Sequence, residues 1–129
     1  MDGDQKRYDG GVAEAGGGPG TEEESRFRNF VAIQDVPPQR TLFLTVEGEV
    51  WVGNPGVEVS LSYAVPQGVN PTILLLRVDL AQRPGMWPQV MTWKPCEYRT
   101  MLEEHGQYRQ VQLTHPQMQG ITIDVVDRE

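Results

Sequence analysis

Between Thr41 and Val52 the chain reads TLFLTVEGEVWV, and its apolar residues return at every second position. Leu42, Leu44, Val46, Val50 and Val52 share one face, with Gly48 at the remaining place. Phe43, Thr45, Glu47, Glu49 and Trp51 share the other. Successive side chains of a strand point to opposite sides of its sheet, so a period of two means a strand with one face in a core. Gly48 interrupts the inward face and predicts a bulge or bend, leaving one bent strand or two.

The same texture recurs. VEVSLSYAV (57–65) alternates, with Val57, Val59, Leu61, Tyr63 and Val65 on the inward side. TILLLRVDL (72–80) is apolar on both faces at its start, as a central strand would be. RFRNFVAIQ (26–34) reads as a first strand, stopped by the prolines of DVPPQ. QVMTW (89–93) is a short strand, and 107–115 with 120–126 form a hairpin joined by PQMQ. GNPG (53–56), PQGVNP (66–71) and AQRPGMWP (81–88) carry the turn signals. Seven short strands with turns at roughly 8–12-residue spacing predict an antiparallel β-sandwich, with a small barrel as the alternative closure.

One segment breaks the period. In PCEYRTMLEEHG (95–106), Tyr98, Met101, Leu102 and His105 sit at i, i+3, i+4 and i+7, which is one helical face. Pro95 lies near a first helical position and Gly106 where a C-terminal cap would fall, so a short helix is expected over 96–104.

Charge divides the chain. Residues 1–24 hold seven acids and two bases, a balance of -5 out of the total of -7; the remaining eleven acids and nine bases give -2. Gly and acids dominate 1–25, which is expected to be a disordered tail ahead of a single β-sandwich domain over 26–129. A nearly neutral body argues against nucleic acid, which needs clustered positive charge to displace counterions. Eight of the nine body bases are Arg, which leaves a local arginine patch open, although a codon or genome bias is the preferred reading of the excess. The start MDGDQKRYDGG has no apolar signal core, the longest clean apolar run is Ile73 to Leu76, and one Cys cannot close an internal disulfide. A cytoplasmic protein with no membrane partner is the expectation.

The chain is poor in reactive chemistry. Cys96 is its one thiol, and His105 and His115 its two imidazoles. On a helix, at about 1.5 Å per residue, His105 falls beyond ~10 Å from Cys96 and cannot serve it as a base. Cys96 is therefore read as a small buried hydrophobe, with no catalytic residue assigned. Two histidines without HxH or HExxH spacing predict no metal, and no cofactor motif occurs. Arg77 and Asp79 share a strand face, read as its exposed end, and the acids of EEH (103–105) and DVVD (124–127) as solvated charge.

Binding residues are sought in RPGMWPQVMTWKPCEYR (83–99). Met86, Trp87, Met91 and Trp93 concentrate large apolar area around a proline-rich loop, and Arg83 adds a polar rim. These five are the candidate contact residues of a non-enzymatic module that binds a protein partner or itself. The competing reading has Trp87 capping the open end of the sandwich. Two further functions stand beside it: a barrel holding a small apolar ligand, with Trp87, Trp93 and Met91 at its mouth, and an enzyme of unknown class.

Overall fold

The computed structural model describes residues 25–129, so the expectation for the acidic tail falls outside the described residues. Seven strands follow one another: β1 (Phe27–Gln34), β2 (Leu42–Val52), β3 (Val57–Tyr63), β4 (Ile73–Gln82), β5 (Thr92–Leu102), β6 (Gln110–His115) and β7 (Met118–Asp127). They form one sheet in the order β3-β4-β6-β7-β1-β2-β5. The two end strands, β3 and β5, come side by side without a hydrogen-bonded ladder, so the sheet curls into a nearly closed barrel.

This corrects the expected antiparallel sandwich. β1 and β7 run parallel, as do β4 and β6, while the other neighbours are antiparallel. Parallel neighbours need a long crossover rather than a hairpin. The crossover between β4 and β6 is residues 83–109, which cross to the far edge, lay down β5 against β2, and return. Alternation reports which face of a strand is buried, but not which strand lies beside it.

The expected helix is also absent: 96–104 lies mostly within β5, whose eleven residues pair in unbroken register from Leu42↔Leu102 to Val52↔Thr92. The letters satisfy both periods. Read in twos, Cys96, Tyr98 and Leu102 point inward, while Pro95, Glu97, Arg99 and Met101 point outward. Pairing with β2 selects that reading. Gly106 does carry a positive φ of 85°, but in the β5–β6 loop rather than at a helix end.

Inside the barrel, Leu44, Val46 and Val50 of β2 meet Leu74, Leu76 and Val78 of β4 and Val111 and Leu113 of β6. Each of these eight is almost wholly removed from water, a gain of about 1.5–3 kcal/mol for a side chain of this size. The expected inward face of 57–65 holds only as far as Leu61; Tyr63 and Val65 are exposed. The bulge or bend expected at Gly48 falls instead on the neighbouring strand. β2 runs straight through Gly48, and β1 bulges between Arg28 and Val31, with Asn29 at φ 59°. The Phe30 ring then lies on the Gly48 backbone, where any Cβ would collide with it.

Candidate functional site

The β4–β5 loop, residues 83–91, carries Arg83, Met86 and Trp87 at one end of the barrel. Trp87 folds back on its own loop. Its indole N–H donates to the Arg83 carbonyl at 2.9 Å, and the Arg83 guanidinium lies 5.2 Å from the ring centroid. The ring covers Gly56 in the β2–β3 turn, and the Arg83 N–H donates to the Gly56 carbonyl at 2.8 Å. A glycine is needed at 56 because the indole occupies the place of a side chain. Trp87 therefore joins two loops and is half-buried, whereas Met86 beside it is 99% exposed. Val90 and Met91 complete an exposed apolar run before β5.

Trp93 has a different setting. It pairs with Trp51 across β2 and β5 on the outer face of the sheet, with ring centroids 5.0 Å apart. The Arg28 guanidinium lies 4.2 Å over Trp93 and is anchored by its Nε bond to Glu49 at 2.6 Å. The five expected contact residues thus divide between the loop and this tilted aromatic pair.

The reactive groups do not converge. Cys96 is in the core opposite Gly48, and burial pushes its thiol up to about 11. His105 bonds instead to Asp127, at 2.9 Å. Asp127 lies in the row of Gln34, Leu44 and Thr100, four residues along β5 from Cys96, so His105 is held away from the thiol although the helix is absent. Arg77 bonds to Asp79 at 2.8 Å, and Ser62 holds the second carboxylate oxygen at 2.7 Å. Among the described residues no three His, Cys, Asp or Glu side chains form a metal site, and no helix is long and apolar enough to cross a membrane.

A concave site lies at the opposite end, at the mouth of the β1–β2 loop. It is an open cleft of about 840 Å³ lined by Asp35, Pro38, Gln39, Arg40, Thr41, Phe43, Arg99 and Arg128. Asp35 follows the last residue of β1 and receives the Arg128 Nε–H at 2.8 Å and the Phe43 backbone N–H at 3.1 Å. Those two bonds, with Arg99 nearby, hold the Asp35 carboxyl below its usual range. Arg99 projects outward from β5 and stacks on Phe43, 3.8 Å from the ring centroid. Arg40 completes the rim. Three arginines and one carboxylate line the cleft, in a protein whose net charge is negative. The arginine-rich body composition was the one sequence signal for this cleft. Arg40, Arg99 and Arg128 are far apart in the chain and meet only through the barrel.

No protein-family model, curated protein or solved structure matches the chain.

The cleft continues onto the outer face of β7, β1, β2 and β5. Across these strands Val126, Ile33, Thr45 and Arg99 form one row, and Val31, Glu47 and Glu97 the next. Val31 is 42% exposed, Val126 53% and Met101 63%. Guanidinium forks are suited to planar anions, which they bind through paired N–H bonds, and a stacked aromatic ring holds such a fork in place. The arrangement can therefore grip carboxylates beside apolar side chains. The lining holds no Cys, Ser, His or Lys, and its one carboxylate, Asp35, is already engaged.

Proposed function

We propose that this chain is a non-enzymatic protein-interaction module whose arginine cleft takes carboxylate side chains of a protein partner. The observation that supports this is the convergence of Arg40, Arg99 and Arg128 on one open concave site holding a single, already engaged carboxylate. Exposed Val31, Met101 and Val126 next to it supply the apolar area that a contact patch also needs. The reading carries no cofactor, no metal, no nucleic acid and no membrane partner, and a cytoplasmic setting. The 83–91 loop is a second contact element on the same reading. There Trp87 holds the loop in shape, and Met86, Val90 and Met91 offer exposed apolar surface.

The test uses a short fluorescein-labelled polyglutamate peptide and fluorescence anisotropy. The native chain is expected to bind it, with affinity falling as salt is raised. Replacing Arg40 and Arg99 together by Ala is expected to weaken binding about tenfold or more, equivalent to about 1.4 kcal/mol. Equal binding by the native and substituted chains overturns the assignment of the cleft.

A further inference from the structure

Two charge arrangements on one sheet face are each incomplete, and they have opposite sign. The first is the arginine cleft. The second is the neighbouring row, where Glu47 of β2 stands directly opposite Glu97 of β5, both exposed. Like charges in cross-strand register repel and weaken the sheet that carries them. Neither glutamate forms an ion pair among the described residues, and neither does Arg99, whose side chain is stacked on Phe43. The acid pair lies one row from Arg99 along the strands.

We infer that the carboxylates suited to the arginine cleft are Glu47 and Glu97 of a second copy of this chain, docked face to face. The inference rests on the reading of the cleft as a carboxylate site. A two-fold axis lying across the strands, between the Thr45–Arg99 row and the Glu47–Glu97 row, exchanges the two rows. Arg99 of each copy then meets the acid pair of the other. The same operation sets Val31 against Ile33 on the two β1 strands and Met101 against Pro95 on the two β5 strands, so apolar positions also meet apolar positions. A patch that is complementary to itself under one rotation is the requirement for a closed, isologous dimer. Glu49, on the row beyond and already bonded to Arg28, faces the Phe43 row in the same arrangement.

The experiment is analytical ultracentrifugation of the full chain over a range of concentrations, with circular dichroism of each variant to establish that it is folded. The native chain is expected to show a concentration-dependent monomer–dimer equilibrium that weakens with salt. Arg99→Glu and Glu97→Arg are each expected to weaken dimerisation about tenfold or more. An equimolar mixture of the two variants should recover association, because one copy then carries two acids where the other carries two bases. A native chain that stays monomeric while binding polyglutamate overturns the dimer and leaves the cleft reading standing. Loss of polyglutamate binding in Glu97→Arg with dimerisation unchanged overturns it as well, since that residue acts on the dimer alone. If neither the peptide nor a second copy binds, both readings fall.

Discussion

The thiol of Cys96 shares its place in the core with the backbone of Gly48, and its raised pKa of about 11 against an ordinary 9.0 comes from burial. Below pH 9 the thiol is protonated in folded and unfolded chains alike. Between 9 and about 11 only the unfolded chain ionises, so stability falls as pH rises through that window. Alkylation by iodoacetamide at pH 8 should accordingly be far slower in the folded protein than in urea; equal rates would show an accessible thiolate. Gly48 and Gly56 are each covered by an aromatic ring, Phe30 and Trp87 respectively. Gly48→Ala must displace Phe30 and is expected to cost roughly 1–3 kcal/mol, which a thermal melt would register as a drop of several degrees. Trp87→Ala removes the cover from Gly56 and the bond to Arg83, so the 83–91 loop should become susceptible to limited proteolysis while the barrel keeps its far-ultraviolet spectrum. An unchanged digestion pattern would show that the indole does not hold the loop.

Elements meet at Gln34, at the end of β1, the one buried polar residue among those described. Its amide nitrogen donates to Asp127 at 2.8 Å, and its oxygen accepts the Gly106 N–H at 3.1 Å, tying the end of β7 and the β5–β6 loop to β1. Gln34→Leu leaves both partners without it and is expected to cost about 1–3 kcal/mol in a denaturant titration. Asp127 also takes the His105 bond; His105 first and Gln34 second hold its carboxyl below the ordinary 3.8. The stability this confers is complete above the ordinary value and is lost as pH falls through the lower folded value. Asp127→Asn should flatten the acid limb of an unfolding curve followed by tryptophan fluorescence. The strands were legible wherever one period alone fitted the letters, as in 41–52 and 57–61. In 95–106 two periods fitted, and only the ladder with β2 decides between them. Partners were never legible: nothing within 72–80 or 107–115 announces that β4 and β6 run parallel. The cleft was hidden for the same reason, since its three arginines come from the β1–β2 loop, from β5 and from the residue after β7.

The barrel depends on one strand in two roles. Through residues 118–124, β7 pairs with β6; through 125–127, it pairs with β1. It therefore stitches the β3–β4–β6 half to the β1–β2–β5 half. Val125→Pro, at the point where β7 passes from β6 to β1 and where the backbone N–H donates to the Arg109 carbonyl at 2.9 Å, should abolish the single cooperative transition for both halves together. If the tryptophans of β2 and β5 still report a native-like environment in that variant, the halves are independent. The same stitching sets a schedule for a chain that leaves the ribosome from its N-terminus. β1 emerges first of the seven strands, but the neighbour that completes its Ala32–Gln34 edge emerges last. For that whole interval the nascent chain presents an exposed strand edge of the kind that recruits other strands, so crowded synthesis is the moment at which this fold is most open to mispairing.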